Sequence, residues 1–239
     1  MTIGMARQSA CIEMLFGAEP DFAARVGLAQ QAGFTAVEFW LWSTKDLDAL
    51  QAALQRTGVQ VVGFVAEPMV SLNNPADHAT FLAALPASIT TAQRLAAPFL
   101  YIQGGSTLPG VPRVAQTAAL VDVLGHAADL LQGSGVTLLL EPVSDARDGF
   151  LSHARDGLAI VAAVQRPEVR LLYDLYHAAV AGEDLAATVG AQTALIGHVH
   201  VADHPGRGAP GTGILHLAGA MDRLRAQGYQ GWFGMEHRP

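Results

Sequence analysis

The feature that most limits what this chain can fold into is an alternation. Eight short runs of Val, Ile, Leu and aromatic residues are each separated from the next by a longer segment rich in Ala and Leu. Strands are expected near Ser9–Ile12, Ala36–Trp40, Gln60–Val65, Phe99–Gln103, Thr137–Glu141, Arg170–Asp174, His198–Val201 and Trp232–Glu236. Most are apolar nearly throughout, as in VTLLLEP and VRLLYD, which suits parallel strands covered on both faces. Helices are expected near Asp21–Gln31, Leu47–Arg56, Ala76–Ala96, Val114–Leu131, Ala154–Val164, Leu185–Ala191 and Leu217–Gln227. Glycines such as Gly58 follow polar residues at the ends of these segments, where a left-handed cap is placed. Asp21 and Asp46 are read as caps or first-turn acids. Eight strands alternating with seven helices predict an α/β fold, a (β/α)8 TIM barrel, as one domain over residues 1–239. An open doubly wound sheet is disfavoured, since no Gly-x-Gly-x-x-Gly turn follows the first strand. After Glu236 only His237, Arg238 and Pro239 remain, so the barrel is expected to lack its last outer helix or to cover the final strand in another way, a second subunit included.

Composition narrows the partners. With 51% hydrophobic and 15% charged residues in 239, the chain can bury a large core. Its net charge of −7 gives no general attraction to phosphate backbones, so nucleic acid is not expected as a partner. The single cysteine, Cys11, cannot form an internal disulfide; it is read as a small buried hydrophobe in a cytoplasmic protein. Arg7, Gln8 and Glu13 interrupt the first twenty residues, and the long uncharged stretches carry Gly, Pro, Gln or His, so neither a signal peptide nor a membrane span is expected.

In barrels of this kind, catalytic groups project from the C-terminal ends of the strands. Four consecutive strands end in candidates: the fifth at Glu141, the sixth at Asp174, the seventh at His200 and the eighth at Glu236. A carboxylate ending an apolar strand carries a desolvation cost of several kcal/mol unless it is paired or bound to a cation. Three carboxylates and an imidazole converging on one rim would bind a single hard or borderline divalent ion, Mn or Mg first, with Co or Zn as substitutes. No Cys-x-x-Cys pair exists to form a thiolate zinc site. His198 is assigned to the outer, helix-packed face of the seventh strand, and Glu13 and Glu38 to ion-pair or solvated roles. Trp40 and Phe64 are candidates for pocket walls or plain core.

The segments EPVSD, YDLYH, IGHVHVADHPGRGAPGTG and GYQGWFGMEHRP resemble the corresponding stretches of hydroxypyruvate isomerases. These lie within the xylose-isomerase-like barrel superfamily, which also holds ketose 3-epimerases. FGAEPDFAARVGLAQQAGFTAVEFW resembles the first βα unit of the same family, so the likeness spans nearly the whole chain. The resemblance implies that Glu141, Asp174, His200 and Glu236 bind one divalent metal, that Glu141 and Glu236 double as acid and base, and that His177 and Arg207 hold substrate oxygens. Glu67, where the family pattern has Asn or His, is placed with the substrate-contacting residues. His200 stands where hydroxypyruvate isomerases carry Gln and the epimerases carry His; Ser144 replaces an Asn and Ile214 a Glu.

A polarised α-hydroxy carbonyl could lose a proton to one of these carboxylates and regain it from the other. Return at the neighbouring carbon isomerises the substrate, hydroxypyruvate to tartronate semialdehyde first. Return to the same carbon epimerises a ketose. The glycine-rich loop around Arg207 is suited to gripping a substrate carboxylate. Other readings are an inactive barrel serving as a binding subunit and an abasic-site endonuclease; the latter is disfavoured by Glu67 and Gln103 where histidines would be needed. Expected partners are therefore a small hydroxy-keto acid or ketose, no nucleic acid and no membrane, with further copies of the chain as a candidate partner.

Overall fold

The computed structural model describes residues 7–144, 148–185 and 190–239. Eight parallel strands close into a barrel in chain order, with the last pairing to the first. They are β1 (Gln8–Cys11), β2 (Ala36–Leu41), β3 (Gln60–Val65), β4 (Phe99–Gln103), β5 (Thr137–Glu141), β6 (Val169–Asp174), β7 (Ile196–Val201) and β8 (Phe233–Met235). Around them run α1 (Ala24–Gln31), α2 (Leu47–Thr57), α3 (Pro75–Arg94), α4 (Arg113–Leu131), α5 (Ala154–Val164), α6 (Leu175–Val180) and α7 (Leu217–Ala226). The predicted TIM barrel is therefore present, and five of the expected helices match these closely. The first begins later than expected, at Ala24. The helix expected at Leu185–Ala191 falls mostly outside the described residues, and a 3-10 turn occupies Gly190–Leu195. The short α6 was not anticipated; six residues are too few to show periodicity, but Asp174 caps it.

Local chemistry sets the element ends. Asp46 accepts hydrogen bonds from the N–H groups of Asp48 and Ala49 to start α2, and Gly58 ends it at φ 71°. Strand side chains alternate between two environments. Leu138, Leu140, Leu171, Val199, Val201 and Phe233 face outward into the layer shared with the helices, whereas Leu139, Leu172 and Tyr101 pack inside the barrel. Each fully buried Leu or Val contributes roughly 1.5–3 kcal/mol. Helix α4 is long and apolar enough by composition to cross a membrane. Here its Leu120, Val123, Leu124 and Leu131 are buried in the core and it packs between α3 and α5.

No helix follows β8, as expected. Its outer face is nonetheless covered from within the chain. Phe233 is fully buried, with Tyr229 edge-on at 5.4 Å and the Arg225 guanidinium over its ring at 4.8 Å. Burying this strand needs no second subunit.

Candidate active site

Glu141 and Asp174 are the last residues of β5 and β6, His200 lies one before the end of β7, and Glu236 follows β8 directly. Closure of the barrel brings all four together at its C-terminal mouth, with one ligand atom of each within 4.8 Å of the others. His200 Nδ1 is the hub: Glu236 Oε2 lies at 3.1 Å, Glu141 Oε1 at 3.3 Å and Asp174 Oδ2 at 4.0 Å. Ligands bonded at about 2.1 Å around an octahedral ion stand about 3 Å apart when adjacent and about 4.2 Å when opposite. The donor set and its spacing therefore fit one hard divalent cation, which Glu141, Asp174, His200 and Glu236 could hold.

Each donor is oriented by its own partners. Asp174 uses Oδ1 to accept the Tyr176 and His177 N–H groups at 2.7 and 3.0 Å, capping α6, and leaves Oδ2 facing the cluster. Glu236 accepts from Trp40 Nε1 at 2.9 Å through Oε1 and from Arg207 at 2.6 Å through Oε2. Among the described residues, Glu141 has Gln103 Nε2 at 3.5 Å and His200 beside it. Burial acts to raise the Glu236 pKa, but His200 and Arg207, with the Trp40 hydrogen bond, hold it down at about 2. Burial would lower the pKa of His200, but the charges of Glu236 and Glu38 push it well up. Cys11 is buried near Glu236, and desolvation keeps it a neutral thiol.

The other predicted contacts divide. His177 is buried, 3.7 Å from Asp174 Oδ2, and its Nδ1 faces the Ser144 N–H at 3.4 Å. Ser144 also donates through Oγ to the His177 carbonyl, so the residue that departs from the family pattern supports His177. Arg207, 2.6 Å from Glu236 and 3.4 Å from Asp174 Oδ2, stacks over Tyr176 with its backbone at φ 56°. Both line a cavity of about 270 Å³ with Trp40, Tyr101, Glu141 and His200. A second chamber of about 390 Å³ adjoins it past the ends of β3 and β4, sharing Tyr101, Gln103 and Glu141 as walls.

Glu67 is not brought to this cavity. Its carboxylate accepts from the N–H groups of Trp42 and Ser43 at 2.9 and 2.8 Å and from Ser43 Oγ, so it ties the loop after β2 to the end of β3. Phe64 is core, stacked on Phe39 at 5.1 Å, whereas Trp40 does wall the pocket. Glu13 forms the expected ion pairs, with Lys45 and Arg25.

Two assignments need correction. His198 points into the barrel, fully buried, because residues two apart on a strand share a face and His200 already faces inward. Glu38 is not solvated: it is 1% exposed inside the barrel, paired with His198 and His200 and accepting from Tyr101. A charged residue inside an otherwise apolar strand, AVEFW, was the signal that could have found it.

The loop carrying Arg207 is shaped by Asp203, which is fully buried and accepts from the N–H groups of His204, Gly211 and Leu215 at 2.8–3.0 Å. Burial acts against its charge, but these backbone hydrogen bonds hold its pKa below the ordinary carboxylate value.

The family described as Xylose isomerase-like TIM barrel matches residues 26–239. A Streptomyces coelicolor protein provisionally named hydroxypyruvate isomerase is 35% identical over 90% of this chain and 85% of its own. The hydroxypyruvate isomerase of Escherichia coli is 30% identical over 98% of this chain and 94% of its own. A crystal structure from Brucella melitensis, described as AP endonuclease, family 2, superposes with a TM-score of 0.89 at 28% identity, covering 98% of this chain and 94% of that one. With sequence and barrel in agreement over most of its length, the chain belongs to the xylose isomerase-like TIM barrel family.

Proposed function

We propose that this chain, an isomerase of small sugars and their acids, acts with one divalent cation, Mn or Mg, on an α-hydroxy carbonyl compound, hydroxypyruvate first, giving tartronate semialdehyde. The observation that carries this reading is the convergence of Glu141, Asp174 and Glu236 on His200 Nδ1 at the floor of a cavity that also presents Arg207. A cation bound there would polarise the substrate carbonyl and offset the charge that builds on the enediolate oxygens.

The chain's own residues supply the rest. Arg207 and His177 line the cavity, where Arg207 would grip the substrate carboxylate through charge-assisted hydrogen bonds and His177 would meet a substrate oxygen. Trp40, Tyr101 and Val143 wall the cavity. Glu141 and Glu236, with oxygens within 4.8 Å of each other, can take a proton from one carbon and return it to its neighbour. A positioned base contributes about 10²–10⁴-fold, roughly 3–5 kcal/mol, of the roughly 8 kcal/mol that a 10⁶-fold acceleration needs. The remainder falls to charge stabilisation by the cation and Arg207.

A second reading, epimerisation of a free ketose at C3, is favoured by the adjoining chamber, which offers more room than a three-carbon acid needs. Cleavage of DNA is disfavoured by the net charge of −7 and by the acidic mouth.

The test is turnover of hydroxypyruvate and of a small ketose panel in D₂O, followed by proton NMR, after chelation and again after adding Mn. Chelation should abolish conversion and Mn restore it. Deuterium with a shifted carbonyl indicates isomerisation, and deuterium with inversion at C3 indicates epimerisation. Metal-loaded protein that exchanges no proton in any of these substrates would refute the proposal.

A further inference from the structure

Beneath the proposed metal site lies a polar layer of which the chemistry above uses only His200, as a ligand, and Tyr101, as a wall. Glu38 on β2, Tyr101 on β4 and His198 and His200 on β7 meet inside the barrel, and all four are buried. One oxygen of Glu38, Oε2, lies 2.7 Å from His198 Nε2, 2.8 Å from Tyr101 Oη and 3.3 Å from His200 Nε2, while Oε1 accepts from Ser9 Oγ at 3.4 Å. The rings pack in a set order. Tyr101 stacks parallel on His198 at 5.9 Å and stands edge-on to His200 at 5.6 Å.

Two strand positions are cut away to make room. A Cβ on Gly234 would fall 2.0 Å from Glu38 Oε1 and 2.7 Å from His198 Nε2, and one on Gly63 would fall 2.6 Å from the Tyr101 ring. Neither contact is tolerable, so β3 and β8 are built around this carboxylate and its donors. Burying an isolated charge costs far more than burying an apolar residue of the same volume, so such a layer needs a reason beyond packing.

We propose that Glu38 is a positioning residue for the metal site: it keeps a hydrogen on His200 Nε2, so that Nδ1 is the nitrogen turned to Glu141, Asp174 and Glu236. The two ring nitrogens are distinct, and the bond made by one decides what the other can do. A carboxylate can only accept, so the nitrogen facing it must donate. His200 Nε2 is thereby kept as a donor, and Nδ1 is the ring nitrogen left to ligate a cation. Tyr101 and His198 spend their own donors on the same carboxylate and fix its orientation. The inference rests on the metal-dependent reading but concerns the proton on His200, which can be observed independently of turnover.

The test compares Glu38→Gln with His198→Phe in protein labelled with ¹⁵N-histidine. Long-range ¹H–¹⁵N correlation spectra report which ring nitrogen carries hydrogen, and calorimetry reports Mn affinity. Glu38→Gln keeps the volume but can turn an N–H toward His200 Nε2. It should strip the hydrogen from His200 Nε2, leaving one on Nδ1, and weaken Mn binding by 10–100-fold, the usual effect of losing the group that orients a ligand. His198→Phe keeps the ring against Tyr101 while stripping a donor from Glu38. It should lower the melting temperature yet leave the His200 hydrogen on Nε2 and the Mn affinity within about threefold. Folded Glu38→Gln with an unmoved hydrogen and unchanged affinity would overturn the proposal. So would equal losses of affinity in the two variants, which would mark a general packing effect. Wild-type protein that binds no divalent ion would refute the metal reading of the site, while the proton position on His200 would still decide the role of Glu38.

Discussion

Asp174 divides its two oxygens between structure and chemistry, and that division can be tested by separating them. Oδ1 caps α6 through the Tyr176 and His177 N–H groups, whereas Oδ2 faces His200 and Arg207. Asp174→Asn retains an acceptor for the cap but removes the charge; Asp174→Ala removes both. An Asn or Asp cap replaced by Ala costs about 1 kcal/mol. For a chain of this size each kcal/mol shifts the melting temperature by about 2–4 °C. Metal-free Asp174→Ala should therefore melt about 2–4 °C below Asp174→Asn. Mn at a hundred times its dissociation constant should stabilise the wild-type protein by about 2.7 kcal/mol, or roughly 5–11 °C. Losing a direct ligand should weaken binding by at least the 100-fold seen at the upper end for supporting residues. At the same Mn concentration the stabilisation then falls to about 0.4 kcal/mol, a shift of about 1–2 °C, in both variants. Differential scanning calorimetry with and without Mn measures all four quantities. Full retention of the Mn shift in Asp174→Asn would refute the ligand assignment, and equal metal-free melting of the two variants would refute the cap.

The other residues give distinct expectations. Arg207→Met should reduce kcat/KM for a hydroxy-keto acid by about 10–150-fold, the equivalent of losing a charged hydrogen bond of about 1.5–3 kcal/mol, and should spare a neutral ketose; equal effects on both would deny it the carboxylate. Glu141→Gln should cut proton exchange into substrate by about 10²–10⁴-fold, and exchange at the wild-type rate would remove it as an acid or base. Asp203 has a depressed pKa in the fold, so its contribution is full above the unfolded value of about 3.9 and is lost as the pH falls through the folded one. The urea stability of wild type relative to Asp203→Asn should accordingly be greatest from pH 5 upward and shrink below about pH 4; a gap independent of pH would contradict this. Glu67→Ala should destabilise the protein by about 1.5 kcal/mol through the loop after β2 while leaving kcat/KM within about threefold, and a larger kinetic change would return Glu67 to the substrate site.

The barrel was legible because its strands are covered on both faces. Runs such as TLLLE and VRLLYD have no wet side to interrupt them, and the polar residue that ends each one stands out for that reason. The same rule, carried from the ends of strands to their middles, would have marked Glu38 in AVEFWL as a buried functional charge and not a solvated one. His198 was misplaced by its spacing: the alternation that carries His200 inward carries the residue two before it inward as well. Glu67 reads like Glu141, a carboxylate closing an apolar strand before proline, but the backbone after β3 turns its oxygens toward the N–H groups of Trp42 and Ser43. Which way a strand-end side chain faces depends on the following loop, and no pattern in the strand itself encodes that.

The three carboxylates at the mouth are held to different degrees, and the differences suit different tasks. Asp174 is fixed by two backbone donors of a helix cap, and Glu236 by an indole and a guanidinium. A group so bound has its rotamers restricted, which serves a ligand that must stay in place. Glu141 has a long contact from Gln103 at 3.5 Å and His200, and it alone of the three borders both the 270 Å³ cavity and the 390 Å³ chamber. A carboxylate that accepts and releases a proton each turnover has to tolerate both charge states and reach the carbon on which it works, and strong fixed donors would oppose protonation. On the proposed reading, Asp174 would serve the cation alone, while Glu141, with fewer fixed donors, and Glu236 would share the proton transfer. The place of Glu141 at the junction of the two spaces would let a substrate longer than three carbons extend into the chamber without moving the reacting carbon away from it.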